Sequence, residues 1–260
     1  MSRLRIAPTG RLATCGLIAM AVTLHQSPAR GDGSATGPRG ATPMSASSQA
    51  PLLLAYYEEL EREGRAEWFV DQVTARYSEA TLARLVGAGD RRARRAAVVA
   101  LGLVGSFEVN ATLAQALRDD DEGVRALAGQ ALWAVWFRAD TPENNAALAE
   151  IVRLIARGDL DEADRQATRL VTRSPRFAEA YNQRAIAAFA RRRYAESAAD
   201  CLKALEHNPY HFGALGGLGQ CYLALGRRVE ALATFRRAAE LQPHSRALRD
   251  QVAALEGRGD

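Results

Sequence analysis

The sequence predicts an all-α fold, a solenoid of helix pairs, and three observations carry that prediction. Ala, Leu and Arg dominate while β-branched and aromatic residues are few, a bias toward helix over sheet. Pro175, Pro209 and Pro243 stand 34 residues apart, so the C-terminal half is built from a repeated unit. A second pattern recurs upstream at an offset of 31 residues. With 260 residues, 48% of them hydrophobic, the chain can build one large domain or two small ones.

Residues 1–29 read as an export signal. Arg3, Arg5 and Arg11 form a basic head, residues 12–24 are an apolar run, and Ser27-Pro28-Ala29 offers small residues for cleavage. The run is shorter than the roughly 20 residues a spanning helix needs. An exported, periplasmic or otherwise extracytoplasmic location follows. The alternatives are an organellar transit peptide, an unprocessed tail on a cytoplasmic chain, or an uncleaved anchor, which would be the chain's one route to a membrane. Leu12-Ala13-Thr14-Cys15 has the outline of a lipoprotein box, but its apolar run follows the cysteine and excludes lipidation there. The four arginines of the first 30 residues carry the whole charge excess of 34 basic over 30 acidic residues. Beyond them the chain is formally neutral, which argues against a nucleic-acid partner. Residues 30–50, rich in Gly, Ser, Ala, Thr and Pro, read as a flexible linker because they cannot bury enough surface to offset ordering entropy.

Residues 51–77 predict two amphipathic capping helices broken at Gly64. Next, Asp90-x-x-Ala93-Arg94-x-x-Ala97-x-x-Ala100-Leu101 returns as Asp121-x-x-Val124-Arg125-x-x-Ala128-x-x-Ala131-Leu132. Each Asp caps a helix whose small residues form its packing face, and a shorter helix precedes each. Over residues 78–138 this resembles two HEAT-type repeats. Thr141 as N-cap and Pro142 in the first turn mark the joint to the next array. The few residues at that joint predict one continuous solenoid.

The C-terminal units share more than proline. Twelve residues before each proline stand Ala163, Ser197 and Ala231, and eight before it Ala167, Cys201 and Phe235. Gly158, Arg192 and Gly226 hold the turn between the two helices of each unit. The third unit is the fullest, with Leu218-Gly219, Tyr222, Gly226, Ala231, Phe235, Ala238 and Pro243. Small residues let helix backbones approach, large ones fill the gaps, and each proline ends a second helix. These segments resemble the tetratricopeptide repeat (TPR) family in three repeats, 144–177, 178–211 and 212–245. An amphipathic capping helix follows, to residue 256. The resemblance implies a right-handed α-solenoid, HEAT-like then TPR.

Little in the chain points to chemistry. His207 and His211 flank Pro209, which breaks the helix a metal pair would need, so both read as surface turn residues, as does His244. Cys201 and Cys221 lie on helices that should touch. They read as small core residues, with a disulfide in an oxidising compartment as the alternative. The glycines of residues 213–219 have no preceding strand and belong to a helix, so they are no phosphate loop. Arg91, Arg92, Arg94 and Arg95, like Arg191 to Arg193, read as solvated faces. Trp133, Trp136 and Phe137, with Trp68 and Phe69, are expected to seal joints between repeats. No catalytic, cofactor or metal residue is nominated.

In tetratricopeptide proteins the first helix of each repeat lines a concave binding surface. By register the resemblance implies a partner groove made by Leu148, Val152, Ile155, Asn182, Ile186, Phe189, Gly216, Gln220 and Leu223. Its core is Val152, Ile155, Asn182, Ile186, Phe189, Gln220 and Leu223. The surface that holds a carboxylate clamp in chaperone-binding members here offers Leu148, Val152, Gly213 and Gly217, without Lys or Arg. The implied function is therefore a non-catalytic scaffold or adaptor for a protein or peptide with an apolar segment. An architectural or self-associating solenoid, or a lyase-type enzyme subunit, are the alternatives.

Overall fold

A computed structural model describes residues 50–257. The export signal and nearly all of the linker lie outside the described residues. Within them the chain is all-helical, thirteen α-helices and one 3-10 turn, with no strand. None of these helices is long and apolar enough to cross a membrane.

The upstream part contains α1 (Ala50–Glu63), α2 (Ala66–Arg76), α3 (Glu79–Ala88), α4 (Arg91–Val104), α5 (Asn110–Ala116) and α6 (Glu122–Phe137). Asp90 caps α4 by accepting the Arg92 and Ala93 N–H groups, both at 2.9 Å, and Asp121 caps α6 through Val124 N–H at 2.9 Å. These bonds satisfy donors that the first helical turn leaves unpaired. The arginines at the start of α4 are more than a solvated face. Arg94 grips Asp119 and Arg95 grips Asp121, each through two bonds of 2.7–2.8 Å, tying α4 to the loop before α6. Arg92 pairs with Glu58 of α1 at 3.1 Å.

Downstream, α7 (Pro142–Arg157) and α8 (Leu160–Arg173), α9 (Ala178–Ala190) and α10 (Tyr194–His207), then α11 (Phe212–Ala224) and α12 (Arg228–Leu241) form three pairs, followed by α13 (Arg246–Glu256). The turn inside each pair needs a left-handed residue: φ is 82° at Gly158, 61° at Arg192 and 73° at Gly226. Arg192 is the one non-glycine with positive φ among the described residues. Its neighbours fix the turn: Arg191 and Arg193 both bind Asp164 of α8 at 2.8 Å. The glycine-rich stretch is helix α11. A Cβ on Gly219 would stand 2.6 Å from the buried Phe235 ring, so that glycine permits close approach of α12.

The two arrays are packed together as expected, and α6 makes the junction: its contacts reach both α7 and α9 as well as residues of the loops that join successive pairs. The start of α6 and the Gln242–Ser245 loop line a common cavity. Its middle meets His211 and Phe212, and Phe137 at its end packs into the core of the first pair. Lengths agree with this. A helix of 16 residues runs about 24 Å, and three neighbouring helices at roughly 10 Å spacing span about 20 Å. Upstream residues and residues of the second and third pairs consequently share one hydrophobic core.

Candidate functional site

The first helices of the three pairs pack in succession, α9 against both α7 and α11. At the N-terminal ends of the three helices the surface is filled by the chain itself. Leu148 is fully buried. Gly213 lies under Trp133: a Cβ there would stand 2.7 Å from the indole, so only glycine leaves room. Trp136 stacks on His211 with ring centroids 4.3 Å apart, and Phe212 closes on both tryptophans at 5.0 and 5.3 Å.

A buried polar network runs through this seam. His211 caps α11, its Nδ1 accepting Ala214 N–H at 3.1 Å. Its other ring nitrogen, Nε2, therefore carries the hydrogen and donates to Glu179 Oε2 at 2.8 Å. Glu179 is 1% exposed, and its Oε1 accepts from Asn182 at 3.0 Å and Gln183 at 2.6 Å. Three donors thus compensate a carboxylate that burial would otherwise penalise. Alongside, Trp136 Nε1 donates to Asn110 Oδ1 at 2.7 Å, and Asn110 Nδ2 to Asn208 Oδ1 at 2.9 Å. Asn208 Nδ2 is buried without a partner. Nearer α7, Ser174 donates to Asp140. Burial alone would raise the Asp140 carboxyl, but hydrogen bonds from Ser174, Asn144 and Thr141 N–H outweigh it and hold the pKa below its usual range.

Two expectations fall here. His211 is not a surface turn residue: it is completely buried, while His207 is half-buried against the Tyr181 ring and His244 is exposed. Asn182 does not line an open groove: it is 3% exposed and spends its amide on Glu179. The other six nominated side chains, Val152, Ile155, Ile186, Phe189, Gln220 and Leu223, are half-buried on the C-terminal halves of α7, α9 and α11. Phe189 is held edge-on by Tyr194 at 5.1 Å.

Sequence reasoning missed Glu179, Asn208, His211 and Asn110. A signal for some of them existed. The residue before each repeat proline is polar: Asn208 and Gln242 meet the upstream part, and Ser174 meets Asp140 in the joint that follows α6. Cavities of about 410 Å³ (Tyr57, Glu61, Arg91, Arg92, Arg95) and about 280 Å³ (between Leu117, Arg125, Gln242 and neighbours) are lined by none of those six nominated side chains. Among the described residues no three His, Cys, Asp or Glu side chains cluster as metal ligands.

Comparison with known proteins bears on the downstream array. No curated protein matches the chain. Similar solved structures include "MamA D159K mutant 1", 16% identical with a TM-score of 0.40 over 58% of this chain and 86% of that one. Another is the "TPR2AB-domain:pHSP90-complex of yeast Sti1", 18% identical with a TM-score of 0.40 over 80% of this chain and 84% of that one. Two tetratricopeptide-repeat family models match residues 148–211 and 188–255. With period, turn residues and helix pairs in agreement over that span, residues 148–255 are tetratricopeptide repeats.

Proposed function

We propose that this protein is a non-catalytic scaffold that binds a protein or peptide partner in the open half of its concave face. Val152, Ile155, Ile186, Phe189, Gln220 and Leu223 receive an apolar helix or extended segment. The contrast between the two ends of these helices carries the reading: Trp133 of α6 packs on Phe212 and Gly213 at the start of α11, while these six side chains, nearer the other ends, remain partly accessible. Five of the six are apolar and none is charged, which favours an apolar segment over a terminal carboxylate. The upstream pairs are HEAT-like, a reading supported by the equivalent caps Asp90 and Asp121 at 31-residue spacing. The order of basic, apolar and small residues in 1–29 supports export.

Affinity capture from native extract, with the full chain and an Ile186→Glu/Phe189→Glu chain as baits, tests the groove. A partner held by the first and lost by the second, at equal helicity by circular dichroism, is the expected result. Identical capture by both removes the groove assignment. Concentration-dependent self-assembly that the double variant abolishes points instead to the self-associating solenoid.

A further inference from the structure

Cys201 on α10 and Cys221 on α11 face each other across the junction of the second and third repeats. Each sulfur sits against the other's helix. The Cys221 thiol donates to Ser197 Oγ, one turn before Cys201, at 3.1 Å. The Cys201 sulfur lies 3.2 Å from where a Cβ on Gly217, one turn before Cys221, would stand. Ser197 gives its own hydrogen to Ala185 O at 2.8 Å, so toward Cys221 it only accepts. Both sulfurs therefore occupy one buried seam, 1% and 0% exposed. No third ligand joins them to make a metal site among the described residues.

We propose that Cys201 and Cys221 are a dithiol–disulfide pair that staples the second repeat to the third when the chain meets a disulfide oxidant. One cysteine of the pair, as its thiolate, attacks one sulfur of the oxidant's disulfide and expels a thiolate, forming a mixed disulfide. The expelled thiolate takes up the proton that cysteine lost, the second cysteine loses its own, and its sulfur attacks the first, releasing the second thiol. One S–S bond forms in the protein, the oxidant's breaks, and two electrons pass to the oxidant. Because both sulfurs are buried, exchange requires α11 to be undocked from α10, during folding or by opening of the last repeat. The closed loop of roughly 20 residues then constrains the unfolded chain.

The full chain, unfolded and refolded in a glutathione redox buffer, alkylated and cut with trypsin, provides the test. Peptides 194–203 and 204–227, which carry the two cysteines, should appear joined. The guanidinium midpoint should rise relative to the reduced protein, and dithiothreitol should reverse both changes. A Cys221→Ser chain should show neither. Free thiols in both peptides, separate glutathione adducts, or a link to Cys15 overturns the proposal; a joined pair without a shifted midpoint overturns the stapling.

Discussion

α11 carries four glycines in 13 residues, and they answer to different neighbours. Gly213 lies under Trp133, Gly217 beside the Cys201 sulfur, and Gly219 against the Phe235 ring, whereas nothing approaches within 4 Å of a Cβ on Gly216. Two substitutions of the same chemistry should therefore differ in sign. Gly216→Ala keeps its space and gains helix propensity, and should stabilise the protein by about 0.5–1 kcal/mol. Gly219→Ala must displace a buried ring and should destabilise it by about 1–3 kcal/mol. Urea denaturation of the two single variants measures both. In the sequence all four glycines looked alike, because their neighbours lie on α10, α12 and the distant α6.

Among the elements, α6 depends most on charge. Asp121 both caps it and binds Arg95, and the hydrogen bond from Arg95 does most to lower its pKa from 3.8 to about 2. Asp119 is lowered in the same direction: burial alone would raise it, and the hydrogen bond from Arg94 leads the effects that outweigh burial. A carboxyl whose pKa is depressed by folding contributes stability that is complete above its unfolded value and vanishes as pH falls through the folded one. Stability should thus drop between pH 3.8 and about 2. In Asp121→Asn, which keeps a capping oxygen but loses the ion pair, that drop should be shallower. Acid titrations followed by circular dichroism, with a urea midpoint at each pH, compare the slopes. Helix ends of this kind were legible in the sequence: the caps Asp90, Asp121 and Thr141 and the turns at Gly158 and Gly226 are local features fixed by a few consecutive residues. Arg192 was legible as a turn by register alone, since its residue type does not favour positive φ. What α6 packs against was not legible, because the partners of Trp133 and Trp136 lie about two repeats downstream and follow no period of their own.

At the scale of the whole molecule, the two arrays pack against each other. Their shared core crosses the seam at Trp133, Trp136, His211 and Phe212. In Trp133→Ala/Trp136→Ala, loss of the buried Trp136 indole should cost about 3–5 kcal/mol, and loss of the half-buried Trp133 indole less. A single thermal transition should then split into two, and small-angle scattering should report a larger radius of gyration. An unsplit transition would mean that the arrays are coupled through α7 rather than across the seam. Register alone nominated Val152 to Leu223, but it could not tell that Asn182 belongs to the interior, where its amide meets Glu179, while Phe189 stays half-buried.

The stacked Trp136 and His211 rings also equip the protein with a native optical gauge. Two of its three tryptophans sit in the seam, one of them 4.3 Å from the His211 ring. Separation of the arrays by a ligand, a partner or a mutation would expose the Trp136 indole to water. The emission of the unlabelled protein would move to the red as it happened.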